Sequence, residues 1–140
     1  MNEHNSKQGQ REFERIPKKV SVTVHRYEHQ PNAKQAGEAG VTKNIAEKGV
    51  CICVPSPYEP GTKLTLRIDL EGWQVYLRTV LSRPDNGSEI KPLTATGKVI
   101  WSQELPGEEG YEVGIQFTDI DEEHFKAFKK YLHIIRETVR

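Results

Sequence analysis

Residues 64–70, LTLRIDL, carry the clearest periodicity in the chain and decide its fold class. Every second residue is apolar, and the residues between them are polar or charged. A period of two is typical of a strand with one face in the core and one face in water. Pro- and Gly-rich residues 55–61 precede the stretch, and Glu71-Gly72 follows it as a turn. The stretch therefore predicts a half-buried strand within a mainly β protein.

Similar short runs lie on both sides of this stretch. They predict strands at residues 20–25, 41–45, 50–54, 73–79, 93–101 and 111–118, with loops at 29–40 and 82–92 and a turn at 105–110. Residues 50–54, VCICV, are apolar on both faces, which is typical of a central strand. Gly97, inside a predicted strand, indicates a bulge or a close approach of two backbones.

The hydrophobic period changes after residue 118. Asp119, with Glu122 three residues later, is predicted to cap a helix over about residues 121–138. Apolar side chains spaced three and four apart then form one stripe: Phe125, Phe128, Leu132, Ile135 and Val139. The stripe favours packing within the fold, and pairing with a partner helix is the alternative. Seven short strands before one helix indicate a small antiparallel barrel or sandwich.

Size and charge limit the possible functions. The 140 residues, 35% hydrophobic and 29% charged, predict one domain at residues 11–140 after a disordered polar tail at residues 1–10. A formal net charge of +0 argues against tight, unspecific binding to nucleic-acid polymers or anionic membranes. The sequence contains neither an apolar run of roughly 18 residues nor an apolar signal core. We therefore expect a cytoplasmic protein without membrane insertion.

The residue types that carry catalysis or hold metals lack the necessary spacing. Cys51 and Cys53 flank Ile52, where a disulfide is geometrically awkward, and a second cysteine pair for zinc is missing. We expect two buried thiols that behave as small apolar groups. The histidines show no metal-ligand spacing, and the sequence has neither a Lys-Ser/Thr phosphate loop nor a Gly-x-Ser-x-Gly elbow. The sequence thus predicts neither an enzyme nor a bound metal or cofactor.

A cationic segment precedes the first strand at residues 11–17, REFERIP. Each arginine is a planar fork of donors that can hold a phosphate or the edge of a guanine. Pro17 ends any helix that carries Arg11 and Arg15, so we expect a mobile cationic strap beside the fold. Alternatively, the two arginines and their glutamate neighbours form a solvated, self-neutralised face.

The turn at residues 44–49, NIAEKG, is the second candidate binding element. The Asn44 amide offers a donor and an acceptor to a base edge, and Gly49 supplies positive φ. Backbone N–H groups of such a turn can face an anion. The alternative is a plain hairpin connector.

These two motifs and the last strands together resemble the PilZ domain family. That family carries an Arg-x-x-x-Arg leader and an Asp/Asn-x-Ser-x-x-Gly turn on a six-stranded β-barrel with a C-terminal helix. Here the motifs read Arg11-x-x-x-Arg15 and Asn44-x-Ala46-x-x-Gly49. Residues 97–101 and 111–117 are similar to the family's last strands. The resemblance covers roughly residues 11–132 and implies a mainly β, antiparallel split barrel of six to seven strands with a C-terminal helix.

The resemblance implies a bacterial receptor for the second messenger cyclic di-GMP. Arg11 and Arg15 match the arginines that bind guanine edges and phosphates, Asn44 matches the position at a guanine edge, and Gly49 matches the glycine beneath the ligand. Ala46 stands where the family most often has serine. One lost neutral hydrogen bond costs about 0.5–1.5 kcal/mol, or at most about tenfold in affinity. Two charged forks outweigh that loss, so we expect binding.

The expected mechanism is ordering of the strap by the ligand, which presents a new surface to a downstream protein partner in motility or biofilm regulation. The first alternative is a PilZ-like adapter that works through protein contacts and does not bind nucleotide. A second alternative is a single-stranded nucleic-acid binder, with Trp73, Trp101 and Tyr111 as stacking platforms. The net charge of +0 argues against this last possibility.

Overall fold

The structure, a computed structural model, describes residues 15–27, 37–73, 76 and 92–138. The tail at residues 1–10, Arg11, Val139 and most of the predicted 82–92 loop lie outside the described residues. Within them the chain forms seven strands and a helix: β1 Ile16–Pro17, β2 Ser21–Arg26, β3 Glu38–Ala46, β4 Gly49–Val54, β5 Lys63–Ile68, β6 Leu93–Glu104, β7 Tyr111–Ile120 and α1 Glu122–Thr138.

Six of the strands close into an antiparallel barrel. Their order around the barrel is β3-β2-β5-β6-β7-β4, and β4 pairs with β3 to complete the circle. The short strand β1 adds to β3, with Ile16 opposite Ile45. The prediction of a mainly β barrel with a C-terminal helix is confirmed, and the sandwich alternative is wrong.

The barrel interior is filled by the apolar half of each alternating strand. Leu64, Leu66 and Ile68 of the LTLRIDL stretch are fully buried, as the period of two predicted. The helix α1 packs against the same core, with Phe128 and Leu132 buried and the Phe128 ring edge-on to Phe117 at 5.9 Å between centroids. The apolar stripe therefore packs against the barrel, as the sequence favoured, and not against a partner helix.

The start of α1 differs from the prediction. Asp121 caps the helix, because its Oδ2 accepts hydrogen bonds from the backbone N–H groups of Glu123 (3.1 Å) and His124 (3.2 Å). Asp119 lies opposite Thr96 in β7, which pairs with β6 as far as Ile120. The predicted cap at Asp119 is wrong because strand pairing extends β7 by two residues.

Two further strand boundaries also differ. The predicted strand at residues 73–79 is wrong at its two described residues: Trp73 lies in a turn, where its N–H donates to the Leu70 carbonyl at 3.2 Å, and Tyr76 is helical. The other residues of that stretch lie outside the described residues. The Trp73 ring is buried, and it packs edge-on against His124 of the helix. The predicted 29–40 loop ends early, because β3 begins at Glu38 opposite Val24. The bulge predicted at Gly97 is confirmed by a register shift there.

Candidate ligand-binding face

The β3–β4 hairpin holds three of the predicted site residues. Its turn consists of Glu47 and Lys48 alone, so Asn44 and Ala46 lie in β3 and Gly49 begins β4. The six-residue turn of the sequence prediction is therefore wrong. Ile45 is fully buried in the core. Because neighbouring side chains in a strand point to opposite faces, Asn44 and Ala46 share the outer face of the barrel.

Gly49 allows β4 and β7 to approach closely, and its φ is not positive, in contrast to the prediction. The described glycines with positive φ are Gly61, Gly72, Gly107 and Gly110. At Gly49 an added Cβ would lie 2.3 Å from the carbonyl oxygen of Ile115 in β7. Beside it, the Phe117 N–H donates to the Lys48 carbonyl at 2.8 Å. The hairpin turn is thus held directly against β7.

The strand β1 brings the end of the leader to this hairpin. Pro17 pairs with Asn44, and the Lys18 N–H donates to the Lys43 carbonyl at 3.3 Å. Arg15, which is exposed, directly precedes Ile16, the first residue of β1, and Ile16 pairs with Ile45. The structure therefore places Asn44, Ala46 and Gly49 in one hairpin, with Arg15 one residue before the strand that pairs with it.

A row of outward-facing positions continues from Asn44 across three more strands. Asn44 pairs with Cys51, Cys51 with Gly114, and Gly114 with Trp101. An added Cβ at Gly114 would lie 2.4 Å from Cε2 and Nε1 of Trp101, so the indole covers the glycine backbone. The half-buried Trp101 is available for stacking, whereas Trp73, only 1% exposed, is not. The nucleic-acid alternative thereby loses one of its three platforms.

A polar network that the sequence reading missed lies beside this row. Glu112 is only 7% exposed. Its Oε2 accepts from Lys43 Nζ at 2.7 Å and from Cys51 Sγ at 3.4 Å, and its Oε1 accepts from Gln103 Nε2 at 3.3 Å. Lys43 reaches it from the bulge between Thr42 and Asn44. Lys43 and Glu112 are 69 residues apart in the sequence, so no local pattern shows that they interact. The sequence shows only that Glu112 is a charged residue at an outward position of a predicted strand.

The network sets the protonation states of its members. The Lys43 hydrogen bond is the main cause that lowers the pKa of the Glu112 carboxyl, so Glu112 is ionised at neutral pH. Burial, with the Glu112 hydrogen bond as the second cause, raises the pKa of the Cys51 thiol to about 12. A protonated thiol is a poor nucleophile and a poor metal ligand. The expectation of two buried, apolar thiols is met in part: both cysteines are free and Cys51 is buried, but Cys51 donates to Glu112 and Cys53 is only partly buried.

The described residues contain no group of three or more His, Cys, Asp or Glu side chains that could hold a metal ion. Nor does any helix in the described part of the chain have the length and apolar character needed to cross a membrane.

Comparisons with known proteins agree with this architecture. The fold is similar to the inhibitor of motility MotI/DgrA of Bacillus subtilis, with a TM-score of 0.61, 14% identity, and coverage of 93% of this chain and 51% of that one. This chain thus spans about half the length of MotI/DgrA. It is also similar to the PilZ domain with c-di-GMP of YcgR from Escherichia coli, with a TM-score of 0.55, 8% identity, and coverage of 90% and 92%. The comparison with curated proteins gives no match.

The family follows from a sequence model and not from these distant likenesses. The model of the PilZ domain matches residues 9–133, which is most of the chain. PilZ domains are receptor or adapter domains rather than enzymes. The protein belongs to the PilZ domain family.

Proposed function

We propose that this domain is a receptor for cyclic di-GMP that binds the ligand through Arg11, Arg15, Asn44, Ala46 and Gly49. The observation that carries the proposal is the pairing of β1 with β3, which sets Pro17 opposite Asn44 and leads Arg15 toward Ala46. The fold likeness to a YcgR domain whose structure contains c-di-GMP supports the same ligand. A net charge of +0 is compatible with a small anionic ligand, which needs only local positive charge.

Each residue has a distinct task in this proposal. The Arg15 guanidinium, exposed at the start of β1, donates in parallel to a phosphate or to a guanine edge. The Asn44 amide, which is partly buried, offers a donor and an acceptor to a base. Ala46 and Gly49 pair across the hairpin, and their small size leaves a flat floor for the ligand. Arg11 contributes a second cationic fork from the strap.

We further propose that the domain works in the cytoplasm and signals to a protein partner. The ligand neutralises both arginines and orders the strap at residues 11–15 over the hairpin, next to the part of the leader that β3 already holds. Amide hydrogen exchange across residues 11–20 tests this step. We expect slower exchange when cyclic di-GMP is added, and unchanged exchange despite binding would reject the ordering.

Titration calorimetry with cyclic di-GMP tests the site itself. Arg15→Ala removes at least one hydrogen bond to a charged group, worth about 1.5–3 kcal/mol, so affinity should fall by at least about ten- to a hundredfold. Arg11→Ala should have nearly the same effect. Arg67→Ala, an exposed arginine on β5, is the matched control and should bind as the parent does. If the parent binds and Arg15→Ala binds equally well, the site assignment is wrong.

The adapter that does not bind nucleotide is the second candidate. It is favoured by Ala46, which lacks the hydroxyl that the family's turn most often carries. The same titration separates the two candidates, because an adapter gives no heat of binding with cyclic di-GMP at any practical concentration.

A further inference from the structure

We propose that Gln116 of β7 and Lys98 of β6 complete the ligand site on the side away from Arg15. In this arrangement Gln116 supplies a polar contact to the half of the ligand that lies farther from Ala46. The inference deepens the proposed function and rests on it.

Strand register places these residues in one line with the motif. Ala46 pairs with Gly49, Gly49 with Gln116, and Gln116 with Lys98. Gly49, Gln116 and Lys98 alternate with the core residues Val50, Ile115 and Val99, so all three face outward. The line therefore runs from two small residues, Ala46 and Gly49, to two exposed polar side chains, Gln116 and Lys98.

The spacing suits a ligand with two bases and two phosphodiesters. Neighbouring strands lie about 4.8 Å apart, so Gln116 lies about 10 Å from Ala46 along the sheet and Lys98 about 14 Å. Because barrel strands tilt by about 35–45°, a line of paired residues crosses the barrel wall obliquely, so its residues stay on a gently curved surface. Asn44 and Ala46 lie at one end of this line, so Gln116 and Lys98 at the other end are placed to contact the far half of such a ligand.

The two side chains have the chemistry that the far half needs. The Gln116 carboxamide carries a donor and an acceptor for a guanine edge, and the Lys98 ammonium pairs with a phosphate. The ion pair between Lys43 and Glu112 does not involve Lys98, and within the described residues Lys98 has no acidic partner of its own.

The lysine also has an unfavourable neighbour. Lys98 pairs directly across the strands with Lys63, and both are exposed. Like charges directly opposite each other destabilise a sheet. An anionic ligand at this position would relieve that repulsion.

The test is calorimetric affinity for cyclic di-GMP with the full chain. Gln116→Ala and Lys98→Ala should each weaken binding by about three- to tenfold. Thr65→Ala, on the outer face of β5, and Lys130→Ala, on the exposed face of α1, are matched controls that should change affinity less than about twofold. Lys98→Ala should also flatten the salt dependence of binding without lowering the thermal midpoint of the ligand-free protein, a combination that a purely structural role would not give.

A double-mutant cycle tests whether Gln116 contacts a different part of the ligand from residue 46. In an Ala46→Ser background, Gln116→Ala should cost about the same affinity as it does in the parent, because effects at positions about 10 Å apart usually add. A clearly smaller cost in that background would show that both residues contact the same ligand group and would reject the assignment of Gln116 to the far half. If the parent binds and both single variants bind as tightly, the extended site is wrong while the proposed function stands. If the parent does not bind at all, both are wrong.

Discussion

The two faces of β4 differ in what holds them in place. On the inner face, Val50, Ile52 and Val54 fill the barrel through apolar contacts alone. On the outer face, Gly49 fits a close approach to Ile115, and Cys51 donates to a carboxylate. The inner face therefore depends on volume, whereas the outer face depends on register and on a few polar contacts. Only the outer face has the groups that can bind a polar ligand.

The largest expected difference between the faces is in stability. Ile52→Ala opens a cavity at a fully buried position and should lower the free energy of unfolding by about 3–4 kcal/mol. Cys51→Ala, at the neighbouring position with 1% exposure, removes a smaller side chain and one weak hydrogen bond and should cost about 1 kcal/mol. Urea unfolding measures both. Equal losses would show that the outer face is packed as tightly as the core.

A methyl group at Gly49 should have the next largest effect. Gly49→Ala places a carbon against the Ile115 carbonyl, so β4 and β7 must move apart, at a cost of about 1–3 kcal/mol. The Phe117 N–H, which donates to Lys48, should then exchange faster than other β7 amides. Unchanged stability together with unchanged Phe117 protection would contradict the close approach.

The polar contacts of the outer face predict a dependence on pH. The pKa of Glu112 is lowered from its ordinary 4.5 mainly by the Lys43 hydrogen bond, so its stabilisation is present above pH 4.5 and is lost as pH falls through the lowered value. Glu112→Gln should cost about 1 kcal/mol at neutral pH. The difference between parent and variant should vanish at low pH. A difference that stays constant from pH 7 to about 3 would show that the charge of Glu112 does not stabilise the fold.

The comparison of the two faces also explains what the sequence could predict. Alternation in residues 64–70 and in β7 revealed the strands, because burial of one face leaves a local pattern. The same reasoning failed at Trp73, whose apolar neighbours alternate although the ring is buried against the helix. The prediction that Asp119 caps the helix was wrong because β7 continues through it, and only the pairing with β6 shows that continuation.

The candidate site was predictable to the extent that its residues lie in short motifs. Arg15, Asn44, Ala46 and Gly49 belong to recognisable spacings, and the pairing of β1 with β3 brings the end of the leader to the hairpin that holds the other three. The partnership of Gly49 with Gln116 depends on which strands become neighbours. Because β4 and β7 are far apart in the chain, no local pattern contains that information.

The smallest expected effect concerns Ala46, where the outer face departs from the family's motif. Ala46 lies on the floor of the proposed site, opposite Gly49 and 6% exposed. Ala46→Ser adds one neutral hydroxyl where a bound ligand could accept from it, worth about 0.5–1 kcal/mol net. Affinity for cyclic di-GMP should therefore rise by about two- to fivefold in calorimetry. Ala46→Val is the matched control, because it fills the floor without a hydrogen bond and should weaken binding. If serine weakened binding as valine does, the site would have no room for a side chain larger than alanine at position 46. The absence of a hydroxyl there would then fit the shape of the site and would not be the cause of weaker binding.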